Sequence, residues 1–429
     1  MFLFISLFTL PSHPQTKVKI GKSIEIIYPL SPNQTNDLDE LLPLAPLLKD
    51  KKVVGMGEAT HSTREFFNMK AKMFKFLATY CGYRIFTIEA TYGGTLKVND
   101  YVLYGKGDVL SAMRGMGYWT WDTEEVKELI EWMRAYNTGK PENEKLKFYG
   151  FDPQSYKGPA IALADYVGEF DKQNLEGFLK GISVLTDSSD LFFENPGHIN
   201  PSFKGNEQVN EIIFFLQKWF LEKKDTYITG NGNIKYELAL HNIEVLKQAL
   251  LLKESAEPIY GTCRDSCMAQ NLRWIYELEK KKVFAWAHNG HIARTPNLFE
   301  TDRTCMGWYL NELFGLDYYN IGFVFNEGSF RAYSEETRTM QVFTLPAYKK
   351  NTLANALALA GPDAFFIDLT TTNNKLFRIS GKIYFIGGGF VQEYWYRYSK
   401  PMIAKKQFDG LIFIKTTTSA VPIIRKPAK

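Results

Sequence analysis

Residues 52–61 read KVVGMGEATH and residues 64–80 read REFFNMKAKMFKFLATY. The first stretch holds a short apolar run, KVVGMG, of the kind that forms a buried strand; it ends in Glu58, with His61 three residues on. The second repeats apolar residues at helical spacing through Phe66, Phe67, Met69, Met73, Phe74 and Leu77. A buried strand running into a helix is the unit from which covered, parallel sheets are built. The unit recurs along the chain. RIFTI at 84–88 is the next strand, followed by a helix over 93–104. A helix over 122–136 opens with an Asp cap and carries Glu124 and Glu125 in its first turn. LKFYGF at 146–151 is a third strand.

After residue 158 the strand signal all but vanishes. Helical stretches over 206–223 and 235–252 are separated by turn-rich breaks at Asn195-Pro196-Gly197 and Gly230-Asn231-Gly232. A helix over 264–280 and the strand KVFAWA at 282–287 then restore the alternation. The tail from Tyr318 carries YYNIGFVF, TMQVFTL, AFFIDL, KIYFIGG and LIFI, all strand-like. The expectation is an α/β fold, a largely parallel or mixed twisted sheet flanked by helices. Residues 1–157 and 256–429 form its two halves, and 158–255 form a helical insertion that roofs a cleft. The aromatics of that insertion, Phe192, Phe193, Phe203, Phe214, Phe215, Trp219 and Phe220, are expected to form one cleft wall, with Trp119 and Trp121 opposite.

Composition narrows the class. A chain of 429 residues with 45% hydrophobic and 23% charged residues is neither disordered, nor collagen-like, nor a coiled coil. Lys plus Arg is 51 and Asp plus Glu is 47, a net of +4, too balanced to mark nucleic acid or acidic lipid as the main partner. The four cysteines form no CxxC pair and read as buried thiols. The apolar run at 1–10 is too short to span a membrane; it reads either as an unusual export signal or as a buried strand, and no other segment could form a span. The cytoplasm is the expected compartment, with export through residues 1–10 as the alternative.

Nucleotide motifs fail on inspection. Gly21-Lys22-Ser23 resembles the end of a P-loop, but Thr16 stands where the earlier glycine is required. Gly55-Met56-Gly57 follows a strand, but Thr60 replaces the third glycine of the dinucleotide fingerprint. There is no G-x-S-x-G elbow and no H-E-x-x-H pair. What remains is positional. Four expected strands run into ionisable residues: Glu58 with His61, Glu89, Asp152, and His288 with His291. In a parallel sheet those ends share one edge, where ligands bind. A lone strand-end carboxylate is usually a turn or helix cap. Here, however, three of the six histidines fall at strand ends. Imidazoles beside carboxylates suit general acid–base chemistry, the carboxylate fixing the tautomer of the base.

These residues resemble a known family. Gly57-Glu58-Ala59-Thr60-His61 with Arg64-Glu65-Phe66, Ile88-Glu89, Gly117-Tyr118-Trp119-Thr120-Trp121, Gly150-Phe151-Asp152-Pro153, Arg264-Asp265 with Met268, Ala269 and Asn271, and Trp286-Ala287-His288-Asn289-Gly290-His291 are similar, in order, to the motifs of the erythromycin esterase family. The resemblance covers residues 50–328, with little from the tail. It implies an α/β core with a helical portion and hydrolysis of a macrolide lactone ester without metal or other cofactor. It implies that His61 activates water, that Glu58 and Glu89 orient His61 and that water, and that Arg264 and His288 stabilise the oxyanion or position the ester. His291, Arg64 and Asp152 would support substrate binding, as would Trp119 and Trp121; Met268, Ala269 and Asn271 would pack. The partner is then a small-molecule ester. Two other readings of the residues stay open: a metallohydrolase using the same His/Glu cluster, and a cleft that binds a ligand without turnover.

Overall fold

The computed structural model describes residues 15–186, 205–256, 258–295, 303–348 and 352–424. The apolar run at 1–10, His13, His198, Phe192, Phe193 and Phe203 lie outside them. In chain order the described strands are β1 (Thr16–Ile20), β2 (Ser23–Pro29), β3 (Val53–Met56), β4 (Ile85–Thr91), β5 (Lys147–Asp152), β6 (Val283–Trp286), β7 (Tyr318–Ser334), β8 (Met340–Leu345), β9 (Ala364–Asp368), β10 (Gly381–Tyr384), β11 (Gly389–Phe390), β12 (Ser399–Met402) and β13 (Gly410–Thr417).

Eleven of these form one mixed sheet in the order β1-β2-β9-β13-β7-β3-β6-β4-β5, with β8 and β11 also paired to β7. Its middle, β13-β7-β3-β6-β4-β5, is parallel throughout. β9, β2 and β1 extend it antiparallel on one side. β10 and β12 make a separate two-stranded ribbon.

β3, β4 and β6 are buried along their whole length, which is why they read as continuous apolar runs rather than alternating ones. Successive side chains still serve opposite faces. Val54, Met56, Phe86, Phe284 and Trp286 join one core with the helix Arg64–Tyr80. Val53, Ile85, Val283 and Ala285 join the other with the helix Ile259–Glu279. Between β5 and β6 the described chain is helical, and Leu163, Phe178, Ile213, Leu216, Phe220, Tyr236 and Leu246 gather there into a third core.

Three details depart from expectation. The helix expected at 122–136 runs Glu124–Asn137, and its cap is Thr123, whose hydroxyl accepts from Val126 N, rather than Asp122. β7 continues to Ser334 and turns into β8, an extension that the run YYNIGFVF does not announce. β1 and β2 form a hairpin at residues whose signal is weak because its outer face is wet.

Candidate active site

The strands carrying Glu58, His288, Glu89 and Asp152 are neighbours in the order β3-β6-β4-β5, so their C-terminal ends lie side by side. There they floor a cavity of about 560 Å³. Close packing makes this edge possible. A Cβ on Gly57 would fall 2.1 Å from Asn289 Oδ1, the amide that ties the turn after β6 to Phe323.

Glu58 is fully buried and accepts three hydrogen bonds: from His61 Nδ1 at 2.6 Å, Lys70 Nζ at 2.7 Å and Trp286 Nε1 at 3.0 Å. Since the ionised carboxylate can only accept, the His61 proton sits on Nδ1 and the Nε2 lone pair stays available. His61 lines the cavity, edge-on to Trp121, with its ring centroid 5.1 Å from that of His288. Its Nε2 has no hydrogen-bond partner among the described residues. Lys70 lies beneath this pair, its ammonium also bonded to Ala287 O and set over the Trp286 ring. Burial lowers the Lys70 pKa to about 8, with Glu58 opposing the shift.

A second cluster surrounds Arg264. Its Nη2 lies 2.7 Å from both Glu89 Oε1 and Asp152 Oδ2, and its Nε is 3.3 Å from Asp152 Oδ1. Glu89 also accepts from the His288 backbone N–H at 2.9 Å. Burial alone would raise the Glu89 carboxyl, but His291, Arg264 and His61 outweigh it and hold it well below the usual carboxylate range. His291 is bonded through Nδ1 to Asp265, and its Nε2 lies 3.1 Å from Glu89 Oε1. Burial pulls its pKa down, yet the two carboxylates carry it to about 9, so His291 is an imidazolium at neutral pH. Arg264 Nη1 is 3.0 Å from the same nitrogen, a like-charge neighbour that opposes the shift without reversing it.

His288 behaves oppositely. Its Nε2 donates to Ile386 O at 3.1 Å and its Nδ1 accepts from Gly290 N at 3.3 Å. Burial and the nearby His61 push its pKa well down, past the opposing pull of Glu89, and the ring is neutral. The three histidines of the cavity thus differ in state or role: one with a free lone pair, one neutral and fully bonded, one cationic.

Trp121 is buried and donates through Nε1 to Glu89 O at 2.9 Å; Trp119 lines the wall with the Arg331 guanidinium over its ring. Arg64 is not part of the cavity. It opens the helix Arg64–Tyr80 with its side chain half exposed and Nε 3.5 Å from Glu125, while the neighbouring Glu65 turns inward to Thr418. Of the seven aromatics expected to form a wall from the helical segment, Phe192, Phe193 and Phe203 lie outside the described residues, and the expectation is corrected for the other four. Phe214 is exposed, Phe215 and Trp219 pack on Phe178, Phe220 is buried in the third core, and none of the four lines the cavity. That wall comes instead from Tyr118, Tyr260 and Phe385, with the bare backbone of Gly387 and Gly388.

The sequence reading gave no part in the site to Lys70, to Asp265 of the Arg264-Asp265 motif or to the 385–388 segment. Lys70 had a signal, since it stands four residues from both Phe66 and Phe74 on an apolar helix face, where a lysine needs a buried anion. Among the described residues no group of three or more His, Cys, Asp or Glu side chains is disposed to hold a metal ion. Chemically, the cavity offers, among the described residues, one imidazole nitrogen able to take a proton, that of His61, and is lined as well by the Arg264 guanidinium and the His291 imidazolium.

The family model described as Erythromycin esterase matches residues 78–417. The match includes the tail, which the motif resemblance had left aside and which supplies β13 and the Phe385–Gly388 wall. The chain is 26% identical over 419 residues to "Putative hydrolase YbfO" of Bacillus subtilis (strain 168), covering 92% of this chain and 90% of the relative. It is 25% identical over 341 residues to an erythromycin esterase type II of Escherichia coli, covering 75% of this chain and 80% of that one. A mutant of the erythromycin esterase EreC, solved in its open conformation, has the same fold with a TM-score of 0.67 at 17% identity, over 93% of this chain and 99% of that one. On the family match, which spans the strand ends Glu89, Asp152 and His288 together with Arg264, this chain belongs to the erythromycin esterase family, a family of esterases and hydrolases.

Proposed function

We propose that the protein hydrolyses a carboxylic ester by direct attack of water, with His61 as general base. The observation that carries this reading is the 2.6 Å bond from His61 Nδ1 to buried Glu58, which leaves Nε2, among the described residues, as the one imidazole nitrogen of the cavity with an uncommitted lone pair. In the reaction, His61 Nε2 takes a proton from water as the water oxygen bonds to the ester carbon. The carbonyl oxygen becomes an oxyanion facing Arg264, whose charge is never titrated away, with the His291 imidazolium behind it. Collapse breaks the acyl–oxygen bond, and the leaving alkoxide recovers the proton from His61. Glu58 keeps the imidazole oriented and offsets its transient charge. Neutral His288 acts as a positioning residue that shapes the floor beside His61.

The substrate favoured by this reading is a bulky, largely apolar ester such as a macrolide lactone. Its support is the aromatic wall of Tyr118, Trp119, Tyr260 and Phe385 over a polar floor. Metal-independence is supported by the pairing of each carboxylate: Glu58 with Lys70 and His61, Glu89 and Asp152 with Arg264, Asp265 with His291.

The test is to incubate the protein, before and after dialysis against a strong chelator, with a macrolide panel and with p-nitrophenyl esters, and to read the products by mass. A gain of one water on at least one ester, unchanged by chelation, is expected. No ester gaining water would leave a ligand-binding cleft as the better reading. Activity lost to the chelator and restored by zinc or manganese would favour a metallohydrolase.

A further inference from the structure

Tyr118 stands in the motif Gly117-Tyr118-Trp119-Thr120-Trp121, and its ring lines the same cavity as His61 and Arg264. Gln154 fixes its hydroxyl from one side. Gln154 Nε2 donates to Asp152 Oδ2 at 2.8 Å and to Tyr118 Oη at 3.3 Å, while Gln154 Oε1 accepts from Tyr260 Oη at 2.8 Å. The side-chain amide of Gln154 is thereby spent. It cannot flip to accept from Tyr118 without breaking its bond to Asp152, which can only accept. Tyr118 Oη therefore receives a hydrogen bond and keeps its own O–H to give. Among the described residues no acceptor takes that proton. Burial, reinforced by Asp152, holds the phenol well above its ordinary pKa, so the group stays a neutral donor. The same Asp152 Oδ2 that accepts from Gln154 Nε2 also accepts from Arg264 Nη2 at 2.7 Å, which places the Tyr118 hydroxyl on the Arg264 side of the floor.

A hydroxyl fixed as an acceptor, with its donor unspent in a cavity beside a guanidinium, is arranged for an oxygen brought in by a ligand. We propose that Tyr118 is a second substrate-contacting donor of the ester site, giving its O–H to the carbonyl oxygen that also faces Arg264. This rests on the ester-hydrolase reading above. It differs from a wall residue in kind: a wall needs only the ring, whereas an oxyanion donor needs the hydroxyl.

The test compares wild type with Tyr118→Phe, which keeps the ring, on the ester that wild type hydrolyses best. The loss of one oxyanion donor is expected to lower kcat by ~10²-fold while KM changes by less than about threefold, with the midpoint of the pH–rate profile unmoved because His61 is intact. A trifluoromethyl ketone analogue of the same ester, which presents a tetrahedral oxygen, should bind Tyr118→Phe at least ~10-fold more weakly. Its binding is read directly, so it also decides the matter for a variant with impaired turnover. Wild-type kcat and analogue affinity in Tyr118→Phe would overturn the proposal and leave ester hydrolysis standing. A rise in KM alone would assign the hydroxyl to ground-state binding and equally overturn the oxyanion role. A wild type that hydrolyses no ester would remove both readings together.

Discussion

At the scale of single residues, the site is a set of ionisable groups whose states are fixed by their neighbours. Glu58 is held by three donors, so His61 is held by a carboxylate that is itself immobile. His291 makes the clearest prediction. Its ordinary pKa of 6.5 rises to about 9 in the folded chain through Asp265 and Glu89. A raised folded pKa contributes stability that is present in full below the unfolded value and is lost as pH rises through the folded one. The stability difference between wild type and His291→Gln should therefore shrink from about pH 6.5 to about pH 9. Lys70, shifted to about 8, titrates in the same window but is common to both proteins and cancels. Urea unfolding of the pair at several pH values checks this; a difference independent of pH would mean that His291 is neutral in the fold. Much of this scale was legible. Glu58, His61, Glu89, Asp152, His288 and His291 stand out because an apolar run that ends in a charged group is unusual and the run's direction fixes the edge. Their pairing was not legible, because Arg264 and Asp265 come from a helix whose contact with the edge depends on crossing geometry rather than on any local pattern.

At the scale of elements, the strand–helix unit at 52–80 was readable because a continuous apolar run and a helical periodicity stand on either side of one short connection, residues 57–63. The tail was readable as strands but not as part of the site. Its residues 385–388 reach the cavity through long-range pairing: Ile386 N donates to Ala59 O, and Ile386 O accepts from His288. Nothing local in KIYFIGG encodes that contact. The segment has a consequence for specificity. A Cβ built on Gly387 meets nothing within 4 Å, so a side chain there would enter open space in the cleft. Gly387→Leu is expected to melt like wild type and to raise KM for a bulky ester ~10-fold more than for p-nitrophenyl acetate, the scale on which pockets discriminate by a few carbons. Phe214→Ala, at an exposed position in the helical segment, should leave both KM values unchanged. Equal effects of Gly387→Leu on the two esters, or a size-dependent effect of Phe214→Ala, would reassign the wall.

At the scale of the whole molecule, the fold is a device for bringing distant residues to one edge. Glu58 and His61 lie near the start of the chain, His288 and His291 more than two hundred residues later, and Phe385 near its end. The parallel centre of the sheet sets β3, β6, β4 and β5 side by side, and this alone converts four separate strand ends into a single cavity floor. The central claim is that His61 is the base for which that floor is organised. It is tested most directly by the kcat of His61→Asn on the best wild-type ester, with circular dichroism and melting to establish the fold. Asparagine can still donate to Glu58 but has no nitrogen able to take a proton. The account predicts a folded variant whose kcat is reduced by at least ~10²-fold. A folded variant turning over at a near-native rate would contradict it.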